Sequence, residues 1–192
     1  DGIIGIDFGT KSTVIAYQEN NTDIHLMRVG ITDHTKAPEI YHYENPTIIE
    51  FNNILQFLKD YKSSDGRPLT KWRDLTISHT AASSLNNSKS NDFNTFLSEL
   101  KQWAGTKGKK LKIKDKKDFV LDIDAFLDIK EEDFNPIEIY AYMLGLNINN
   151  QRNGIYLNYI LSFPVTYELE IRDKIIESFK RGIKKSLPIE LH

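Results

Sequence analysis

The 192-residue sequence contains no cysteine. This absence excludes disulfide bonds, thiolate metal sites and a cysteine nucleophile, and it is typical of proteins from a reducing compartment. We therefore expect a cytoplasmic location. Long apolar runs are also missing: even residues 155–165 are interrupted by Asn158, Tyr159 and Ser162. The sequence thus predicts no membrane-spanning helix and no membrane partner.

An excess of one charge is lacking too, since 25 basic and 27 acidic residues give 25 − 27 = −2. No overall field would draw the protein to nucleic acid. Residues 107–117 are a local exception, with seven lysines around Leu111 and Ile113. This alternation predicts an exposed strand or hairpin arm, and because no aromatic side chain stands between the lysines to stack on bases, we expect no nucleic-acid partner.

Hydrophobic residues make up 40% of the chain, which is enough for a packed core. The first thirty residues predict three strands, at Ile3–Phe8, Thr13–Tyr17 and Ile24–Val29, joined by two turns. The sequence therefore begins with an antiparallel arrangement.

The pattern is less regular over residues 35–130, which we interpret as a peripheral insertion. Short β-like runs occur at Pro46–Phe51 and Ile54–Phe57. Apolar residues at helical spacing predict a helix over Asn94–Ala104, with Lys101 on its polar face.

The last third alternates between helix and strand patterns. Asn135 and Pro136 are typical of a helix start, and this helix is predicted to run to about Asn149. A strand over Ile155–Phe163 and a helix from Leu169 to Ile183 follow. Added to the first three strands, these elements predict an α/β fold, a mixed sheet with helices on its faces.

One segment carries a chemical signal: Gly5–Ser12, at the turn between the first two strands. Gly9 lets the backbone turn tightly and present successive N–H groups to phosphate oxygens, and Thr10 and Ser12 add hydroxyl groups. Asp7, at the end of the first strand, suits a magnesium ion held largely through water and phosphates. We therefore predict a hairpin bend whose amide groups face outward.

The spacing of this segment fits neither a Walker-type phosphate loop nor a Rossmann fingerprint, because both place their glycines between a strand and a helix. Ordinary hairpins also contain Asp, Gly and Thr, so the pattern gains weight from its context between two apolar strands.

At this point the sequence resembles the DnaK-type 70-kDa heat-shock chaperones, within the actin-like ATPase superfamily. Ile4–Ala16 is similar to the first phosphate loop of that family, and Asn45–Phe51 to its threonine-proline strand. Asn94–Gly105 is similar to its lysine-bearing helix, and Tyr159–Gly182 to its first connecting segment, in which Arg172 falls on the helix arginine.

The resemblance implies a ribonuclease-H-like fold. Residues 1–34 and 131–192 would form the core lobe of an actin-like ATPase, incomplete at its C-terminal end, and residues 35–130 the inserted α+β subdomain. It also implies ATP or ADP with magnesium as cofactors. Asp7 would act catalytically by holding magnesium through water, and Lys101 would reach the γ-phosphate and the attacking water. The implied phosphate contacts come from Gly9, Thr10, Lys11 and Ser12.

The implied function is that of an ATP-hydrolysing molecular chaperone of the stress response. Its partners would be the remainder of its own ATPase domain, client polypeptides, a J-domain co-chaperone and a nucleotide-exchange factor. Because the sequence supplies one of two phosphate loops, we expect this chain alone neither to bind ATP tightly nor to hydrolyse it.

Three alternatives remain open. Lys11 stands where the family usually has a second threonine, which favours a non-catalytic, chaperone-like interaction domain. A sugar or metabolite kinase of the same superfamily shares the first loop, but the Pro46 strand and the Lys101 helix fit the chaperones better. A filament-forming actin-like protein is the third.

Overall fold

The computed structural model describes residues 2–20, 22–30, 35–152, 154–163 and 166–192. Pro164 and Val165, part of the segment that resembles the chaperone family, lie outside the described residues, as do Asn153 and residues 31–34 of the predicted core lobe. The strands are β1 (Gly2–Phe8), β2 (Ser12–Glu19), β3 (His25–Met27), β4 (Asn45–Pro46), β5 (Ile49–Phe51), β6 (Leu75–Ile77), β7 (Phe96–Leu97), β8 (Leu111–Lys114), β9 (Val120–Ile123) and β10 (Asn158–Ser162). The helices are α1 (Ile54–Tyr61), α2 (Ser78–Asn86), α3 (Leu100–Gly105), α4 (Pro136–Arg152) and α5 (Leu169–Lys185), with 3-10 turns at Ile40–Tyr43, Ser90–Thr95, Phe126–Asp128 and Ile189–Leu191.

The main sheet has the strand order β10-β1-β2-β3, with β4 also paired to β2. β1 and β2 form an antiparallel hairpin that closes with Phe8 opposite Thr13. β10 lies parallel to β1 and places Ser162 beside Asp7. This arrangement confirms the predicted antiparallel start, the parallel strand after it and the α/β class.

Helices α4 and α5 cover one face of this sheet. Along β1 the side chains alternate, so that Ile6 and Phe8 are buried whereas Asp7 is exposed on the opposite face. The ring of Phe8 lies 5.9 Å from that of Tyr140 on α4 and 4.9 Å from that of Phe179 on α5. The end of β1 is therefore anchored in the core while the adjoining loop stays at the surface.

The start of α4 follows the predicted capping chemistry. The Asn135 side chain accepts hydrogen bonds from the N–H groups of Ile137 (3.0 Å) and Glu138 (3.3 Å). Its amide also donates to Ser178 of α5 at 2.9 Å, which ties the two helices together. Among the described residues, no helix is both long and apolar enough to cross a membrane.

The predicted strand at Ile54–Phe57 is wrong, because these residues begin helix α1. The side chain of Asn53 accepts from the N–H of Gln56 at 3.2 Å, as an N-cap does. Ile54, Phe57 and Tyr61 are buried at helical spacing. A short apolar run fits either period, and here the cap and the tertiary contacts decide for the helix.

The predicted helix over Asn94–Ala104 is correct only from Leu100 onward. Phe96 and Leu97 form β7, which pairs with β5 opposite Glu50 and Ile49. The sheet hydrogen bonds therefore override the helical spacing in this segment. The run Pro46–Phe51 likewise divides into β4 and β5, which join different sheets; β4 links the predicted insertion to the main sheet.

The lysine-rich segment forms the predicted hairpin, β8 paired with β9. Its lysines are exposed or half-buried, as predicted, and six of the seven also contact a carboxylate. The ion pairs are Lys107–Glu168, Lys109–Glu99, Lys110–Asp124, Lys112–Asp122, Lys114–Asp118 and Lys116–Glu50. The positive charge of the segment is thus offset locally.

Candidate functional site

The loop between β1 and β2 brings the predicted phosphate contacts together at the surface. Thr10 and Lys11 are exposed, and Gly9 and Ser12 are half-buried. Asp7 precedes the loop on β1 and its side chain is exposed. These residues are neighbours in sequence, so the hairpin alone is sufficient to group them.

The carbonyl groups of this loop are directed toward the protein. The Phe8 carbonyl accepts a hydrogen bond from Lys101 Nζ at 2.7 Å, and the Gly9 carbonyl accepts one from Thr47 Oγ1 at 3.0 Å. The Lys11 carbonyl accepts from the N–H of Thr47 at 2.9 Å. Three of the loop's acceptors are therefore occupied by two residues that lie far away in sequence.

The N–H groups of Thr10 and Lys11 lie in the turn between β1 and β2, beyond the last paired residues Phe8 and Thr13. Across the described ranges, none of the hydrogen bonds outside the strand and helix ladders uses them as donors. Gly9 is required for this shape, because a β-carbon there would lie 2.1 Å from the carbonyl oxygen of Ser12. The bend thus offers main-chain donors at the surface, the arrangement from which anion-binding concavities are made.

Lys101 reaches the loop from α3, the α-helical part of the predicted Asn94–Ala104 helix. Its side chain is 2% exposed and lies against the rings of Phe8 (5.7 Å) and Tyr167 (5.9 Å). Burial lowers the pKa of its ammonium, and the nearby carboxylate of Asp7 partly opposes that effect. The structure therefore brings Lys101, Asp7 and the loop into one site.

Three buried residues behind the loop also belong to the site, although the sequence pattern did not predict them. Thr13, Thr47 and Tyr140 are each no more than 2% exposed. Tyr140 donates to Thr13 Oγ1 at 2.9 Å, and the hydroxyls of Thr13 and Thr47 lie 2.9 Å apart. Burial raises the pKa of Tyr140 to about 12, so the phenol keeps its proton at neutral pH. The sequence held one signal for them: Thr13 is a polar residue on the same face of β2 as the buried Ile15.

Comparison of the sequence with protein-family models and with curated proteins gives no match. The resemblance to DnaK-type chaperones therefore rests on the sequence segments alone and stays a prediction.

The metal site predicted at Asp7 contains a single carboxylate. Within the described ranges, no group of three or more His, Cys, Asp or Glu side chains is placed to hold a metal ion. Asp7 is exposed, so its carboxylate oxygens can accept hydrogen bonds from water. Such a residue fits magnesium that keeps most of its waters and is bound mainly through phosphates, and it does not fit a site built from protein ligands alone.

A groove with a volume of about 560 Å³ lies away from this loop, between β10 and α5. Its walls are mostly apolar, among them Leu161, Ile176 and Phe179, with Lys180 and Lys184 also in the lining. None of the predicted site residues lines it. We place the candidate chemistry at the loop because the exposed N–H groups of Thr10 and Lys11 and the buried cation of Lys101 come together there, whereas the groove offers chiefly hydrophobic surface.

Proposed function

We propose that this chain is the N-terminal part of the nucleotide-binding domain of a DnaK-type chaperone ATPase, and that it supplies the first phosphate-binding loop. ATP and magnesium would be the cofactors of the larger protein. The client polypeptides, the J-domain co-chaperone and the nucleotide-exchange factor that the resemblance implies belong to the same proposal.

The observation that carries the proposal is the orientation of the β1–β2 loop. Its carbonyls are occupied from within by Lys101 and Thr47, while the N–H groups of Thr10 and Lys11 have no partner in the described structure outside the strand and helix ladders. Donors held in advance toward an anion bind it without reorganisation, which is why such loops suit phosphate.

The strand order supports a ribonuclease-H-like core. The order β3-β2-β1-β10 places three antiparallel strands beside a parallel fourth, with α4 and α5 on one face. This topology agrees with the fold that the sequence resemblance implies, and it puts the loop at the end of a central strand.

Each predicted residue has a role that its position permits. Thr10, Lys11 and Ser12 would contact phosphate oxygens, and Lys101 would add a positive charge close to the loop. Asp7 would hold magnesium through water, and the ion would neutralise charge on the transferring phosphate. A phosphate held on one side only is neither clamped nor desolvated, so we expect weak binding and no turnover in this chain alone.

Amide NMR tests the proposal directly. Titration of the ¹⁵N-labelled chain with inorganic pyrophosphate and magnesium should shift the signals of residues 9–12 in a saturable way, in the millimolar range. Gly9→Ala should abolish the shifts, because the added carbon collides with the Ser12 carbonyl. The matched control is Gly154→Ala, where the nearest atom to an added carbon is 3.7 Å away. Unshifted loop signals in the wild-type protein would defeat the proposal.

A non-catalytic interaction domain is the second candidate, favoured by Lys11 in place of the family's usual threonine. In a longer protein that contains this chain, calorimetric binding of ATP without release of phosphate would support it. Binding together with phosphate release would support the ATPase.

A further inference from the structure

The hydroxyl groups behind the loop have a defined direction, which follows from a count of their protons. A threonine or tyrosine hydroxyl has one proton to donate. Thr47 Oγ1 must donate to the Gly9 carbonyl at 3.0 Å, because a carbonyl oxygen can only accept. In the 2.9 Å contact between Thr13 and Thr47, Thr13 is then the donor, and Thr13 in turn accepts the proton of Tyr140. The series of hydrogen bonds therefore runs in one direction, from the Tyr140 hydroxyl through Thr13 and Thr47 to the Gly9 carbonyl.

This direction determines which way the loop amides point. In a trans peptide the C=O of one residue and the N–H of the next lie in the same plane and point in opposite directions. Because the Gly9 carbonyl is held inward by Thr47 Oγ1, the N–H of Thr10 faces away from Thr47.

This series of hydrogen bonds lies in the protein interior, where it is shielded from competing water. Tyr140 and Thr13 are fully buried, and Thr47 is 2% exposed. Hydrogen bonds in series polarise one another in such an environment, so the last bond of the chain depends on the first. Tyr140 lies on α4 and Thr13 on β2. The hydrogen bonds therefore connect the orientation of the loop to the packing of α4 on the sheet.

We propose that Thr47 is a positioning residue for phosphate binding, and that Tyr140 and Thr13 fix the direction in which its hydroxyl donates. The proposal rests on the function proposed above, since it assigns to these hydroxyls the outward orientation of the phosphate-binding amides. None of the three touches the phosphate itself; each acts through the Gly9 carbonyl.

Two variants of Thr47 separate the hydroxyl from the rest of the side chain. Thr47→Val keeps the shape and the main-chain N–H but removes the hydroxyl, whereas Thr47→Ser keeps the hydroxyl. In the pyrophosphate titration we expect Thr47→Val to lose about tenfold in affinity, the scale of one hydrogen bond, and Thr47→Ser to stay within about twofold of wild type. Tyr140→Phe should cause a smaller loss, because Thr13 can still donate to Thr47.

A measurement without ligand keeps the two proposals distinguishable. The Thr10 amide signal reports on the Gly9–Thr10 peptide plane, so it should move in Thr47→Val and return toward its wild-type position in Thr47→Ser. If the wild-type chain fails to bind pyrophosphate, the proposed function falls together with the role of the network in binding, while the Thr10 signal still decides whether the hydroxyl orients the loop. If Thr47→Val fails to fold, Tyr140→Phe tests the same series of hydrogen bonds, with a smaller expected shift of the Thr10 signal, and an unchanged signal there would overturn the role of Tyr140.

The proposal is overturned if Thr47→Val keeps both the wild-type affinity and the wild-type Thr10 signal. It is also overturned if Thr47→Val and Thr47→Ser lose affinity equally, because the shape of the side chain rather than its hydroxyl would then matter.

Discussion

The side chain of Lys101 is almost fully buried, yet it forms no ion pair in the parts of the chain that the structure describes. Its ammonium is bonded to the Phe8 carbonyl at 2.7 Å, and the field of Asp7 favours its charged form. A buried cation is costly, and Asp7 offsets only part of that cost, so a bound anion at the neighbouring loop would stabilise it further. The same residue thus braces the loop and adds positive charge to it.

Asp7→Asn should lower the pKa of Lys101 further below its ordinary value. The Asp7 carboxylate stabilises the ammonium, and burial opposes it, so removal of the carboxylate leaves burial unopposed. The expected sign is therefore loss of the proton at a lower pH than in wild type, and any phosphate affinity that depends on the ammonium should decline from that lower pH upward. A ¹³C NMR titration of the Lys101 side chain measures this shift.

The control is Asp65→Asn, which removes an exposed carboxylate outside the electrostatic environment of Lys101, where burial and Asp7 set the pKa. A pKa of Lys101 that stays constant or rises in Asp7→Asn would show that the two groups are not coupled.

The residues of the site divide by how far apart they lie in sequence. Asp7, Gly9 and Thr10 are adjacent, so spacing and side-chain chemistry were sufficient to predict their grouping. Thr47 reaches the Gly9 carbonyl across 38 residues, and Tyr140 reaches Thr13 across 127. Contacts of this kind depend on how the elements pack, and no local pattern in one sequence encodes them.

Among the elements, the long helices were predicted better than the short segments. The sequence marks the start of α4 with Asn135 and Pro136, and α5 runs from Leu169 as expected, since both are long enough for their period to be unambiguous. Errors fell on α1 and β7, which have eight and two residues, where a cap or a pairing partner outweighs the period.

Gly182→Ala should destabilise the contact between α4 and α5. A β-carbon at this position would lie 2.2 Å from the Glu138 carbonyl and 2.8 Å from the Ala141 side chain, so the helices must separate to admit it. We expect a loss of about 1–3 kcal/mol in the free energy of unfolding, after the gain in helix propensity is allowed for. Urea denaturation provides the value.

Gly154→Ala is the matched control for this comparison as well, and its effect should stay within about 0.5 kcal/mol of zero, as for most surface changes. A Gly182→Ala protein as stable as wild type would mean that the two helices do not pack this closely.

At the scale of the whole molecule, β10 leaves one edge of the main sheet without a partner strand among the described residues. The described strands place β10 at one end of the order, with β1 on its inner side only. Its Ile160 is 62% exposed and lines the groove beneath α5. The alternation of strands and helices predicted the class of this fold, but the position of residues 35–130 around it follows from long-range pairing that the sequence pattern does not specify.

Because an apolar edge strand can pair with another chain, we expect the protein to self-associate as its concentration rises, and Ile160→Lys to reduce that association. A lysine on the edge must be desolvated before a second strand can pair there, whereas the fold should tolerate it at an exposed position. Light scattering over a concentration series measures the effect. The control is Ile40→Lys, at an even more exposed isoleucine (84%) that lies in a 3-10 turn away from the sheet edge. If both substitutions reduce association equally, general surface hydrophobicity is responsible and the β10 edge has no special part in it.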